Sequence, residues 1–423
     1  MTAPRAVGLE ELTPIGFGCY RVDVRSAQHR EALTRALTAG CNLIDTASNY
    51  TDGRSEELVG EVLETTQARA FVVTKAGYVS PGALAHLARA GIRVGDLSTL
   101  ASGTPFSLEP SVLRVVLELS RARLRRRTLD AVLLHNPERL REAGASANAL
   151  SGALERAFAF LEEEVAAGRL RFYGVSSNDL PSTRPGDILD LETLVELSAR
   201  SGQSEGLAFI QFPLNLLERQ AATATGRPSL LARSGNVRTI ANRPFNALAG
   251  DHPVRLAGAE CDSEGVPIDD PWDHCVELVA TQLAVLGELE PWTSFRPMQF
   301  LRDNRNDIPD HELVDEIFAN QIDPFVVTLF GQDPPAAVRA AFQDLRAHAH
   351  SRTHAHLAER TNVAVARLAE EGLLQPQSDE PLAVAACRYC LATGVDHVLV
   401  GMRRPEYVAQ LATLFSTTSS SAQ

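Results

Sequence analysis

Cysteine is sparse in this sequence, with six residues among 423. Sparse, scattered cysteines argue against a disulfide framework and are typical of a reduced, cytoplasmic protein. No apolar run reaches the roughly 18 residues that a membrane-spanning helix requires. Residues 1–11 also lack the basic-then-apolar pattern of a secretory signal. We therefore expect a cytoplasmic protein that has no membrane partner.

An excess of positive charge is absent as well, because the formal net charge is −13. Nucleic-acid binding needs clustered positive charge that displaces counterions, so a nucleic-acid partner is not expected. What the chain does contain is 44% hydrophobic residues, close to the average of globular proteins. Such a chain can bury a core large enough to hold an active site.

Short apolar runs alternate with segments of helical spacing along most of the chain. Each run has the continuous hydrophobicity of a parallel strand that is buried on both faces. Eight runs are predicted to be strands, at residues 15–18, 42–46, 70–75, 129–135, 172–177, 208–212, 237–241 and 397–401. Eight strands that alternate with helices favour an α/β fold, the (β/α)8 TIM barrel. A doubly wound parallel sheet is the alternative.

The regular spacing is broken once, between the seventh and eighth predicted strands. We predict that residues 1–250 and 381–423 form the barrel and that residues 251–380 form an inserted helical subdomain. An insertion that follows a barrel strand is expected at the carboxyl-terminal face, where active sites lie. The insertion is therefore predicted to cover the barrel mouth; packing on the barrel's side or binding a partner is the alternative.

Polar side chains end three neighbouring predicted strands. Asp45 and Tyr50 follow the second strand, Lys75 the third and His135 the fourth. Buried strands should not end in charged groups unless those groups meet each other or a ligand. Tyr50 could protonate an oxygen, with Lys75 lowering its pKa, Asp45 pairing with Lys75 and His135 orienting a carbonyl. The accompanying hydride would come from a cofactor. The alternative is a purely structural ion pair between Asp45 and Lys75.

The order of these four residues resembles the catalytic tetrad of the aldo-keto reductase family. Residues 40–60 resemble the family's signature, and residues 173–178, 211–215 and 398–408 resemble its cofactor-binding segments. The resemblance implies an NAD(P)H-dependent oxidoreductase that reduces an aldehyde or ketone, or oxidises an alcohol or sugar. It implies cofactor contacts from Ser176, Ser177, Asn178, Gln211, Arg243, Gly401, Arg403, Arg404 and Gln410.

Several residues depart from the family's pattern or leave alternatives open. Ser177 precedes Asn178, so which of the two meets the nicotinamide carboxamide is open. Asn242 stands where many members stack an aromatic ring on the nicotinamide. Arg403 and Arg404 favour NADP (NADPH) over NAD if they bind a 2′-phosphate, and are otherwise a solvated helix start. Gln211 could also be a satisfied core group. The alternative function is a non-catalytic, cofactor-binding regulator or scaffold on the same fold.

Three other motifs receive structural interpretations. The basic run at residues 121–127 is predicted to be a solvated helix end. The histidine-rich run at residues 348–356 is predicted to be a polar helix surface, and no metal site is predicted. Cys387 and Cys390 are predicted to pack in the core.

Overall fold

A closed ring of eight parallel strands forms the centre of the computed structural model, which describes residues 6–182, 189–202, 206–249, 252–256, 271–286, 296–304, 308, 311–374 and 380–416. The strands, in chain order, are β1 Ile15–Gly18, β2 Leu43–Asp45, β3 Phe71–Ala76, β4 Ser98–Thr99, β5 Pro105–Phe106, β6 Leu129–His135, β7 Leu170–Ser176, β8 Leu207–Pro213, β9 Arg238–Asn242, β10 Asn246–Ala249, β11 His252–Arg255 and β12 His397–Val400. Around the ring the order is β1, β12, β9, β8, β7, β6, β3 and β2. The predicted TIM barrel is therefore confirmed, and the doubly wound sheet is wrong. The short antiparallel pairs β4–β5 and β10–β11 were not predicted.

Helices connect the strands of the ring and make up most of the insertion. In chain order they are α1 Ala27–Thr38, α2 Arg54–Thr66, α3 Pro81–Arg89, α4 Pro110–Arg123, α5 Arg139–Glu142, α6 Ala147–Ala166, α7 Leu191–Ser201, α8 Leu230–Arg233, α9 Trp272–Leu286, α10 Arg296–Asp303, α11 His311–Ile317, α12 Asp323–Phe330, α13 Ala336–Glu370, α14 Leu382–Ala392 and α15 Pro405–Leu411. Ser26 and Ser146 begin α1 and α6 by accepting hydrogen bonds from backbone amides of the first turn. The described residues contain no helix that combines the length and the apolar character of a membrane span.

The interior of the ring is apolar and is closed at the amino-terminal ends of the strands. Val7 and Leu12, which precede β1, join a buried cluster with residues from six strands. Those residues are Leu43, Phe71, Val73, Ala131, Leu133, Phe209, Ile240 and Leu399. Arg171 fastens this segment by donating to the carbonyl oxygen of Val7 at 2.9 Å. With one end of the ring filled by side chains, the carboxyl ends of the strands are left for polar chemistry.

Close contact between β7 and β8 requires a glycine at position 174, in β7. A Cβ atom on Gly174 would lie 2.1 Å from the carbonyl oxygen of Phe209. The pairing of the two strands also shifts register between Tyr173 and Gly174. Gly174 therefore sets the approach of the strand that presents Ser176.

The chain divides into two compact units, Met1–Pro244 with Val384–Gln423, and Phe245–Ala383. The second unit contains the β10–β11 pair and helices α9 to α13. Its core is built from Val279, Met298, Val314, Phe318, Ile322, Phe342 and further buried residues of these helices. Thr361 of α13 donates to the carbonyl oxygen of Arg255 in β11 at 2.6 Å. A helical region after the seventh barrel strand is thus confirmed, and its placement over the barrel mouth stays a prediction.

The histidine and cysteine motifs both lie on helices. His350 of α13 is 2.8 Å from Asp315 of α11, and Arg346 shares the same carboxylate oxygen. Across the described part of the chain, no group of three or more His, Cys, Asp or Glu side chains is arranged to hold a metal ion. Cys387 and Cys390 are fully buried free thiols in α14, as predicted for core packing.

The prediction that the basic run at residues 121–127 is a solvated face is wrong for Arg121 and Arg123, whereas Arg125 and Arg127 are exposed. Arg121 and Arg123 of α4 expose only 14% of their side chains. Arg121 pairs with the buried Glu164 of α6, and Arg123 pairs with the buried Glu56 of α2. The reason is that α4 packs against both α2 and α6, and each of these helices presents a buried glutamate to it.

His397, at the start of β12, is a buried histidine with one satisfied nitrogen. Its Nδ1 lies 3.0 Å from the carbonyl oxygen of Thr13, which requires a proton on Nδ1. Its Nε2 is buried and has no hydrogen-bond partner within the described residues. Burial lowers the pKa of His397; Asp396 opposes this shift and Arg238 adds to it. The folded state therefore holds the neutral imidazole.

We expect His397 to make the protein less stable as the pH falls from 7.5 to 5.5. The unfolded histidine binds a proton at its ordinary pKa of about 6.5, whereas the folded one resists protonation, so stability is lost as the unfolded chain takes up protons. His397→Gln should reduce this pH-dependent loss of unfolding free energy. Urea unfolding at both pH values measures it, with the exposed His86→Gln as control. An unchanged pH dependence in His397→Gln would contradict the assignment.

Candidate active site

A buried ion pair lies at the carboxyl ends of β2 and β3. Lys75 Nζ is 2.6 Å from Asp45 Oδ2 and also donates to the carbonyl oxygen of Thr46 at 2.9 Å. The Lys75 side chain is fully buried. Burial lowers the pKa of Lys75 and raises that of Asp45, while their mutual attraction opposes both shifts. The two groups form an ion pair, since the buried ammonium is hydrogen-bonded to the Asp45 carboxylate and to the Thr46 carbonyl oxygen.

Tyr50 follows β2 and meets the same ammonium. Lys75 Nζ donates to the phenolic oxygen at 3.3 Å. The next two residues, Thr51 and Asp52, have positive φ angles of 47° and 58°, which is costly for a β-branched residue. Thr51 donates to the carbonyl oxygen of Val22 at 2.7 Å, and Asp52 accepts from the amide of Gly82 at 2.9 Å. Contacts to the loop after β1 and to the first turn of α3 therefore hold the unusual turn that places Tyr50.

The expectation that Lys75 lowers the pKa of Tyr50 is wrong. Burial raises the pKa of Tyr50 well above its ordinary value, and the negative charge of Asp45 raises it further. The physical reason is that burial disfavours the phenolate, and that Asp45, which lies closer to the ammonium than Tyr50 does, offsets the positive charge of Lys75. Tyr50 is consequently a protonated phenol at neutral pH.

His135 ends β6 and lies between two tyrosine rings. Its ring centroid is 5.9 Å from that of Tyr50 and 4.8 Å from that of Tyr78, both edge to face. Asn136 donates from Nδ2 to the Tyr78 hydroxyl at 3.0 Å, which fixes this second ring. Burial and the positive charges of Lys75 and Arg139 hold the pKa of His135 well below its ordinary value. His135 is therefore neutral near pH 7 and suits hydrogen bonding better than proton donation.

The structure thus brings all four predicted tetrad residues to one end of the barrel. Two aromatic residues that the sequence analysis did not name stand beside them. Tyr20, 60% exposed, lies edge to face with Tyr50 at 5.3 Å, and Tyr78 packs on Phe106 at 5.2 Å. The signal for both was their position directly after β1 and β3, at the same end of the ring as the tetrad.

A chain of hydrogen bonds continues from Asp45 across the ring to strands β7, β8 and β9. Gln211 donates to Asp45 Oδ1 at 2.8 Å, and its own carbonyl oxygen accepts from Ser176 at 2.8 Å and from Asn242 at 3.4 Å. Gln211 therefore has the satisfied core environment of the alternative interpretation. Asn242 Oδ1 is a buried acceptor that has no hydrogen-bond partner among the described residues.

The residues after β7 differ in their exposure. Ser177 is buried and accepts from the amide of Asp179 at 3.0 Å, whereas Asn178 is exposed. The amide of Asn178 donates to Glu138 Oε1 at 3.2 Å, so the loop after β7 is tied to the loop that follows His135. The exposed Asn178 side chain is consequently the more accessible of the two to a bound molecule.

Arg243, which follows β9, already has an acidic partner. It has a positive φ of 55° and donates to Glu218 Oε1 at 2.8 Å. Asn215 donates to the other oxygen of Glu218 at 2.8 Å and to the carbonyl oxygen of Arg243 at 3.1 Å. A phosphate that binds Arg243 would therefore share the guanidinium with the carboxylate of Glu218.

The remaining predicted cofactor residues lie after β12 and on α15. Gly401, Arg404 and Gln410 are exposed, and Arg403 is partly exposed. The guanidinium of Arg404 lies over the ring of Tyr407, 5.8 Å from its centroid. Arg404 is thus accessible to an anionic ligand.

A sequence model described as the Aldo/keto reductase family matches residues 14–244, more than half of the chain. An uncharacterized oxidoreductase of Bacillus subtilis, YqkF, is 26% identical over 167 residues, 40% of this chain and 45% of that protein. An aldo-keto reductase of Schizosaccharomyces pombe, whose name includes NADP(+), is 27% identical over 179 residues, 41% of this chain and 44% of that protein. The chain thus spans a little under half the length of these relatives.

A glycerol dehydrogenase of Gluconobacter oxydans is similar in structure. The match covers 98% of this chain and 91% of that protein, with a TM-score of 0.51 and 19% sequence identity. At this identity the similarity shows a shared fold.

Glu138, whose Oε1 accepts from the amide of Asn178, makes the stability of the protein depend on pH. Burial raises the pKa of Glu138 to about 7. Because the folded carboxyl keeps its proton to higher pH than the unfolded one, its contribution to stability is complete below about pH 4 and is lost as the pH rises through 7. We expect Glu138→Gln to gain in melting temperature over the wild type as the pH rises from 5 to 8. Glu142→Gln, at an exposed site nearby, should not, and equal curves for both variants would refute the prediction.

Proposed function

Because this chain belongs to the aldo/keto reductase family, we propose that it is a nicotinamide-dependent oxidoreductase that reduces an aldehyde or ketone, or oxidises an alcohol or sugar in reverse. The observation that carries this proposal is the position of Lys75 Nζ, which is 2.6 Å from Asp45 and 3.3 Å from the Tyr50 hydroxyl. The arrangement combines a protonated phenol with a buried ammonium that can stabilise the phenolate. The hydride is the chemistry that a bound nicotinamide cofactor supplies.

In the direction of reduction, Tyr50 gives its proton to the carbonyl oxygen as negative charge develops there. Lys75 donates to the phenolate oxygen that remains, and Asp45 keeps the ammonium charged and in place. Neutral His135 donates a hydrogen bond to the substrate oxygen and orients it beside Tyr50. In the direction of oxidation, the Tyr50 phenolate accepts the alcohol proton. The edge of Tyr20 and the ring of Tyr78 bound the space beside Tyr50 and His135, where a small carbonyl compound or alcohol would bind.

The residues around Gln211 fit a carboxamide. Asn242 Oδ1 is a buried acceptor with no partner in the described residues, and a carboxamide N–H would satisfy it. We assign carboxamide contacts to Ser176, Ser177, Asn178 and Gln211, with Asn242 as an additional acceptor. This addition rests on the unpaired oxygen of Asn242.

The phosphate-binding side of the cofactor is assigned to residues after β9 and β12. We propose that Arg243 contacts a phosphate, that Gly401 and Gln410 line the adenosine end, and that Arg403 and Arg404 bind a 2′-phosphate. This assignment favours NADP (NADPH) over NAD. It is supported by the exposure of Arg404 and by the planar guanidinium's suitability for phosphate. We also propose a cytoplasmic location, in keeping with the free thiols of the five described cysteines.

Tyr50→Phe tests the proton donor. The ring and its packing remain, but the transferable proton is lost, so we expect kcat for reduction to fall roughly 10²- to 10⁴-fold. The affinity for NADPH, measured by fluorescence titration, should stay nearly unchanged. Turnover is followed by the absorbance of the reduced nicotinamide with a panel of aldehydes and ketones. Near-normal kcat in the variant would show that Tyr50 is not the proton donor. A wild-type protein that binds the cofactor but turns over no substrate would favour the alternative function, a non-catalytic regulator.

The double variant Arg403→Ala with Arg404→Ala tests the cofactor preference. A charge-assisted contact contributes roughly 1.5–3 kcal/mol, so NADPH affinity should fall about tenfold or more. NADH affinity should change little, because NADH has no 2′-phosphate. Dissociation constants for both cofactors measure the difference. Equal losses for the two cofactors, or no loss for either, would show that the arginines do not bind the 2′-phosphate.

A further inference from the structure

A second buried ion pair lies next to the segments that carry Tyr50 and Lys75. Arg123 Nη1, at the end of α4, is 3.3 Å from Glu56 Oε2 in the first turn of α2. Glu56 is fully buried, and Arg123 exposes only 14% of its side chain. A buried carboxylate is costly unless it is paired and hydrogen-bonded, so a structural or functional reason for this pair is required.

The Arg123 end of the pair supports the turn that contains Tyr50. Arg123 Nη1 donates to the carbonyl oxygen of Ser48, two residues before Tyr50, at 3.2 Å. On the other side of Tyr50, a Cβ atom on Gly53 would lie 2.2 Å from Arg123 Cζ. The guanidinium therefore contacts the chain both before and after Tyr50, and Gly53 gives it room.

The Glu56 end of the pair supports the strand that contains Lys75. Thr74, the residue before Lys75, donates from its hydroxyl to Glu56 Oε1 at 2.6 Å. The backbone completes the link, since the amide of Ser48 donates to the carbonyl oxygen of Lys75 at 3.1 Å. One buried ion pair thus connects the residues on either side of Tyr50, Ser48 and Gly53, to Thr74, the residue before Lys75.

Close packing of α2 on α4 holds the pair in place. A Cβ atom on Gly60 would lie 2.2 Å from the carbonyl oxygen of Arg123. Gly53, just before α2, thus lies against the guanidinium of Arg123, and Gly60 of α2 lies against its backbone. The side chain of Arg123 has little space to adopt another direction.

We propose that Arg123 and Glu56 are positioning residues that set the separation between the Tyr50 hydroxyl and Lys75 Nζ. They act through Ser48, Gly53 and Thr74 and touch no reacting group. The role in turnover rests on the proposed function, whereas the mechanical link between the pair and the two segments does not.

Helix α4 itself offers a matched control. Arg121 lies two residues before Arg123, exposes the same 14% of its side chain and pairs with the buried Glu164 at 3.0 Å. Its partner helix is α6, which carries no tetrad residue. Loss of Arg121 therefore removes an ion pair of a buried glutamate from the same helix, while Arg169 still pairs with Glu164 at 2.6 Å.

The first experiment compares Arg123→Met with Arg121→Met by steady-state kinetics and thermal unfolding. We expect Arg123→Met to lose more melting temperature than Arg121→Met, because Glu164 keeps its pairing with Arg169. Only Arg123→Met should lower kcat, roughly ten- to a hundredfold because small displacements of a catalytic group are costly, with KM changed less than threefold. Arg123→Lys, which keeps the charge but loses the forked geometry, should recover part of kcat. Equal kcat in the two Met variants would overturn the proposal.

The second experiment does not depend on activity. Amide hydrogen exchange is measured for wild type, Arg123→Met, Arg123→Lys and Arg121→Met without added substrate. We expect faster exchange of residues 48–53 and 74–76 in the Arg123 variants and not in Arg121→Met. Unchanged exchange of these segments in a folded Arg123 variant would refute the link. If the wild type turns over no carbonyl compound while exchange responds as expected, the proposed function fails and the positioning link stands.

Discussion

The buried ion pair of Lys75 and Asp45 is the constraint on which the rest of the site depends. Both groups lie at the ends of strands in a closed ring, where water cannot replace a lost partner. Every neighbour that is hydrogen-bonded to the pair is therefore constrained as well. Thr46 and Tyr50 accept from the ammonium, and Gln211 donates to the carboxylate. The position of Asp45 in β2 therefore constrains Gln211 in β8, on the opposite side of the ring.

Buried acids paired with arginines also join neighbouring elements outside the site. Glu56 and Glu164 lie on the buried faces of α2 and α6, and Asp130 lies in β6. Asp130 is paired with Arg126 and Arg171. Several arginines of this acidic protein are thus mostly buried beside acidic groups, where one guanidinium can donate to several oxygens at once. The net charge of −13 is a sum over all residues and does not indicate these buried ion pairs.

The barrel strands and the tetrad were predictable because each depends on local pattern. Continuous apolar runs indicated the strands, and polar residues at their ends indicated Asp45, Lys75 and His135. The pairing of Arg123 with Glu56 was not predictable, since a basic run at a helix end reads alike whether water or a buried acid lies opposite. The direction of the Tyr50 pKa was missed because it depends first on the burial of the phenol and then on the charge of Asp45, and neither can be read from a local sequence pattern. The placement of the second unit relative to the barrel is beyond what a sequence pattern specifies.

The position of the insertion has a consequence for how the protein is made. Strand β12 closes the ring by pairing with both β1 and β9, yet about 150 residues separate it from β9 in the chain. During synthesis the other seven strands emerge first and must wait, with the edges of β1 and β9 unpaired, while the ribosome completes the insertion. Open strand edges invite pairing with other chains. Until β12 arrives, the nascent barrel therefore keeps two strand edges open at which another chain could pair.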